Sequence, residues 1–180
     1  MIFYWTKSEK FGSRLIRWGL EEDCSHFAVC FFEDSENPRV LESRLDSGFC
    51  DIQLSEFLGH GREIVHGLQF FDLGENETII YNAMRESLKG AEYDSPAIVY
   101  WFFMGLARRL FRVALPPKNR WGKTEKVYCV EILQAIPGLL WELGVDIESF
   151  DLEMTSPHMI FDELRGSGLR DITGAAQCHK

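Results

Sequence analysis

Apolar residues along this chain fall into two patterns, three-to-four-residue spacing and short unbroken runs, and both occur in the first third. In residues 8–20, Phe11, Leu15, Ile16 and Leu20 recur at helical spacing, which predicts a short amphipathic helix weakened by Gly12. Residues 24–32 (CSHFAVCFF) are apolar and aromatic nearly throughout, as in a strand buried on both faces. Asp34, Ser35, Glu36, Asn37 and Pro38 supply turn chemistry, so residues 39–43 read as the returning strand of an antiparallel hairpin. Further strands are expected at 50–54 and 64–71. A helix is predicted over 76–89, with Ile80, Ala83, Met84 and Leu88 on one side and Gly90 as its stop. A second, over 97–113, ends at Pro116 and Pro117, and the polar, basic stretch 117–126 reads as a loop. A third should begin near Thr124, a good capping residue, and carry Cys129 in its first turns. Cys129, Leu133, Ile136 and Leu140 then share one face, until Pro137 kinks or ends the helix. Ser156 and Pro157 open a last helix over 158–165, and the glycine-rich residues 166–180 read as a flexible tail.

Composition narrows what such a chain does. At 180 residues and 46% hydrophobic it can bury one sizeable core, and residues 1–180 are read as a single domain. A net charge of −9 opposes any broad phosphate-binding surface, so nucleic acid is not an expected partner. The five cysteines, odd in number and irregularly spaced, make a poor disulfide framework and point to a reducing compartment. The apolar start, Met1 to Trp5, is too short for a signal peptide, and its lysines follow it instead of preceding it. The most apolar segment, 97–107, falls short of the roughly 20 residues a membrane-spanning helix needs. A cytoplasmic protein without membrane contact is the expectation.

The candidate chemistry centres on Cys129. A thiol attacks a carbonyl as its thiolate, and a helix N-terminus or a neighbouring imidazole lowers its pKa. Cys129 is the one cysteine predicted at a helix start, where unpaired amides also suit the oxyanion of a tetrahedral intermediate. His26, on the buried strand, is the candidate base, and Glu42, on the partner strand, is within cross-strand reach of its imidazole. Each has a plain alternative: a buried thiol, a core histidine, a solvated strand end. Cys24, His26 and Cys30 fall at even spacing and invite a zinc reading, but four ligands are wanted and no second pair is evident at Cys50 or at Cys178 and His179. No metal or cofactor is therefore expected. His60 and His66 read as surface residues, and His158 as structural.

Several segments together carry a resemblance. Ser25-His26-Phe27-Ala28-Val29 resembles the histidine strand of the circularly permuted NlpC/P60 hydrolases, the papain-like group that includes YiiX-type proteins. Leu15-Ile16-Arg17-Trp18 is similar to the helix before that strand, and Val40-Leu41-Glu42-Ser43 to the following strand with its acidic third member. Tyr93-Asp94 matches a Tyr-Asp pair after the middle helix. Residues 121–133 (WGKTEKVYCVEIL) resemble the aromatic-Cys-Ser-Glu-Leu segment bearing the nucleophile, and Thr155-Ser156-Pro157 the start of the terminal helix. The match spans nearly the whole chain, histidine first and cysteine last. Val130 departs from the usual serine after the cysteine, and Ile132 from the common leucine.

The resemblance implies an α+β, papain-like fold, with an antiparallel sheet or small barrel packed against a cysteine-bearing helix. It implies a cysteine peptidase or amidase in which Cys129 attacks, His26 moves the proton and Glu42 orients the imidazole, through a thioester. Expected substrates are peptides, peptidoglycan-type stem peptides or, in a related lipid acyltransferase or thioesterase group, acyl compounds. Tyr128 and Trp121, flanking the nucleophile, and Tyr93 are candidate pocket residues, for which core packing is an equal alternative. Val130 also fits an inactive binding module that keeps the groove, and the aromatic segment 97–107 fits the acyl substrates.

Overall fold

A computed structural model of the chain describes residues 1–33, 35–70, 73–112, 126–146, 152 and 155–176. Six strands form one open antiparallel sheet: β1 (Ile2–Ser8), β2 (His26–Phe31), β3 (Arg39–Arg44), β4 (Gly48–Gln53), β5 (Arg62–Gln69) and β6 (Arg170–Asp171). Their order across it is β4-β3-β2-β1-β5-β6. The helices are α1 (Phe11–Leu20), α2 (Leu54–Gly59), α3 (Asn76–Leu88), α4 (Ser95–Phe111), α5 (Pro137–Glu142), α6 (Pro157–Arg165) and α7 (Thr173–Ala176), with a 3-10 helix at Glu131–Ala135. The class is α+β, and the sheet does not close into a barrel. No described helix is long and apolar enough to cross a membrane.

The two faces of the sheet follow from strand alternation. On one, Phe3, Trp5, Phe27, Val29, Phe31 and Leu41 pack with Met84 and Leu88 of α3, with Cys129 to Leu133, and with Ile160, Phe161 and Leu164 of α6. On the other, Ile2, Tyr4, Ala28, Cys30 and Val40 are covered by Phe57 of α2. β1 is central because every residue from Ile2 to Trp5 is buried and both flanking strands, β2 and β5, pair with it.

The hairpin of β2 and β3 and the strands at β4 and β5 lie where the apolar pattern puts them. Helix α4 starts two residues earlier than the pattern suggests, because Asp94 caps it, accepting the Ala97 amide at 3.1 Å, and Pro96 suits the first turn. The helix expected to carry Cys129 is different. Cys129 sits in a turn ahead of the five-residue 3-10 helix, and Pro137 opens α5 instead of closing a longer helix. Lacking an amide proton, Pro137 cannot continue a helical ladder but fits a first turn. The buried positions Cys129, Leu133, Ile136 and Leu140 keep a common core across the break. Thr124, Trp121 and the prolines 116 and 117 lie outside the described residues.

Candidate active site

His26 opens β2. Pairing with β1 begins at His26, opposite Thr6, whereas pairing with β3 begins only at Val29. The β3 side of the strand is therefore open at Phe27, and the turn bearing Cys129 lies there. Its approach is fixed by a relay of backbone contacts: Phe49 N–H to Ala91 O at 2.9 Å, Val127 N–H to Glu92 O at 2.9 Å, and Ser43 Oγ–H to Val127 O at 2.5 Å. The buried Glu131 closes the turn by accepting the Tyr128 amide at 2.7 Å. Tyr128 donates its hydroxyl to main-chain oxygens of Thr155 and Leu152, tying the turn to the segment before α6.

His26 Nε2 lies 2.7 Å from Glu42 Oε2. Continued one residue past the Val29–Leu41 pair, the β2–β3 register sets Glu42 opposite Ala28, diagonal to His26, and the small Ala28 leaves the imidazole room to lie toward the carboxylate. Glu42 is fully buried and also binds Arg62, which no local pattern links to it. Burial raises the Glu42 pKa, but the bond from His26 and the charge of Arg62 outweigh it and hold the carboxyl below its usual range. For His26, burial is the larger effect. It pushes the imidazole down, aided by Arg62 and Arg44, against the Glu42 bond. With Nε2 committed to Glu42, only Nδ1 remains to exchange a proton.

Cys129 reaches this end of β2 from the other face of the sheet. The backbone amides of Phe27 and Val130 favour its thiolate. Burial nevertheless dominates and pushes the thiol up to about 12, because a single 3-10 turn offers less positive field than the expected α-helix N-terminus. At rest the Cys129 thiol and the His26 imidazole are thus each neutral. Cys129 lines a cleft with Ser25, the residue before His26, and with Ile16 and Leu20 of α1, Ile98 and Phe102 of α4, and Ser156 and Pro157. Tyr128 stands in the same wall. Tyr93 is half-buried and packs against the same core as the thiol, its hydroxyl pKa raised by desolvation and by the neighbouring Cys129 and Glu131.

The cysteine-rich zinc set does not assemble: Cys24 precedes β2 in the helix-side core, while Cys30 lies in the opposite cluster. Among the described residues, the group able to hold a metal ion is Asp23, His66 and His158. No local spacing unites these three, so sequence reading missed them.

No family model matches this chain, and no curated protein matches it. Among solved structures, its fold resembles that of the metalloprotein yiiX from Escherichia coli O157:H7, with a TM-score of 0.56 at 14% identity over 95% of this chain and 93% of that one. At that identity the likeness speaks to the fold alone. The chain has a YiiX-like fold.

Proposed function

We propose that the protein is a cysteine hydrolase on a permuted papain-like plan, with Cys129 as nucleophile, His26 as general base and Glu42 as the group that orients the imidazole. The supporting observation is the 2.7 Å bond from His26 Nε2 to Glu42, at the strand end whose Phe27 amide favours the Cys129 thiolate. Glu42 fixes the tautomer, leaving Nδ1 to take the thiol proton as the sulfur attacks a substrate carbonyl. The tetrahedral adduct collapses to a thioester as His26 protonates the departing first product. Water, deprotonated by the same imidazole, then attacks the thioester, releasing the carboxylic acid and restoring the Cys129 thiol. Because thiol and imidazole both rest neutral, the proton moves during attack, not before it.

Peptide or peptidoglycan-type amides are the substrates the plan suggests. The walls of the cleft favour a second reading, an apolar acyl group, since Ile16, Leu20, Ile98 and Phe102 face it. Turnover of short peptide amides and of acyl thioesters by the intact protein tests both. Cys129→Ala and His26→Ala are each expected to lose activity by about 10²-fold or more. Turnover unchanged in Cys129→Ala contradicts the assignment, and preference for the thioester selects the acyl reading.

A further inference from the structure

Three elements bring one metal-ligating side chain each to a common point: Asp23 from the loop ahead of β2, His66 from β5 and His158 from α6. His66 Nε2 is 2.8 Å from Asp23 Oδ2, His158 Nδ1 is 3.2 Å from Asp23 Oδ1, and the ligating atoms of all three lie within 4.8 Å of one another. We propose that these residues bind a first-row divalent cation of the zinc or cobalt kind, in a three-ligand site with one side open to solvent.

The donor set fits such an ion. Two imidazole nitrogens and one carboxylate suit Zn²⁺ and its neighbours, whereas Mg²⁺ and Ca²⁺ take oxygen ligands. A tetrahedral ion with bonds of about 2.0–2.2 Å holds its ligand atoms roughly 3.4 Å apart, so the two imidazoles must draw back slightly from Asp23 to admit it.

The arrangement is also held from behind, independently of any ion. The His66 ring stacks on Phe161 at 4.1 Å with an interplanar angle of 15°. His158 lies in the first turn of α6, whose start is fixed by Ser156: its hydroxyl accepts the Met159 amide at 3.2 Å and donates to Glu22. Glu22, the residue preceding Asp23, thereby grips the helix that supplies a ligand. The loop is anchored in turn by Ser25 N–H to Thr6 O at 2.9 Å. On the outer side, His158 Nε2 faces the Asp162 carboxylate at 3.7 Å, an ion-pair distance. Asp23 remains 49% exposed and His158 35%, which leaves room for a water or an exchanging ligand. The competing possibility is that Asp23 serves only as a hydrogen-bond bridge between two imidazoles.

Titrating the chelator-stripped protein with ZnCl2 by calorimetry, and with CoCl2 by absorption, separates the two. The site predicts one ion per chain and weak visible cobalt bands without an intense near-ultraviolet thiolate band. His158→Ala and Asp23→Asn, each checked for folding by circular dichroism, should weaken zinc binding about 100-fold or more. Cys129→Ala should bind as the parent does, so the outcome is independent of the hydrolase reading. Absent zinc binding, binding indifferent to both variants, a thiolate band, or loss of binding in Cys129→Ala would each overturn the assignment.

Discussion

Single residues decide the electrostatics of the candidate active site. Glu42 has no exposure to water and stays ionised only because His26 and Arg62 face it. His26 is held neutral by burial. Both groups have folded-state pKa values below their unfolded ones, so the unfolded chain binds protons at higher pH than the folded protein. Stability is therefore full above about pH 6.5, the unperturbed histidine value, and is lost as pH falls through the lowered His26 pKa. Glu42 adds a second loss below the usual carboxylate range, as pH falls through its own lowered pKa. The His26 contribution to the slope is at most about 1.4 kcal/mol per pH unit, one proton's worth. Urea denaturation from pH 7.5 to 5 should show this slope in the parent protein and a shallower one in His26→Gln. Equal slopes would mean that His26 is not buried in its neutral form.

At the scale of elements, the hairpin carried the legible part of the site. An apolar run, a turn rich in Asp, Asn and Pro, and a returning strand place Glu42 across from the start of β2 without any long-range information. Arg62 was not legible, since nothing local links the start of β5 to β3. Nor was β1: five apolar residues at 1–5 become a central strand only through partners at 26–30 and 62–69. The helical spacing of Cys129, Leu133, Ile136 and Leu140 correctly marks buried positions, but Pro137 divides the segment into two short helices. Where the turn of Cys129 ends up depends on the relay that starts at β4. There Gly48 has φ +71°, and a Cβ on it would come 2.5 Å from the Ala91 carbonyl oxygen. Gly48→Ala should therefore destabilise the fold by on the order of 1–3 kcal/mol and reduce turnover as well, read by chemical denaturation and by the hydrolysis assay. A Gly48→Ala protein as stable as the parent would show that β4 does not hold the 91–92 segment in place.

For the whole molecule, the open sheet acts as a partition with openings at its end. His26 and Glu42 belong to one face and the Cys129 cluster to the other, with the Phe27 peptide at the start of β2 between them. The same end of the sheet carries the cleft beside α1 and α4, and, past Ser156 and Pro157, the Asp23, His66 and His158 cluster. The likeness to yiiX covers nearly the whole of both chains, so it concerns the fold along its full length and not one segment. The central claim is that the imidazole of His26 acts on the sulfur of Cys129. The rate at which iodoacetamide alkylates Cys129, followed by mass spectrometry of the modified peptide in the parent and in His26→Ala, tests it most directly. Slowing by about 10²-fold in the variant is the predicted result. Identical rates in the two proteins would contradict it.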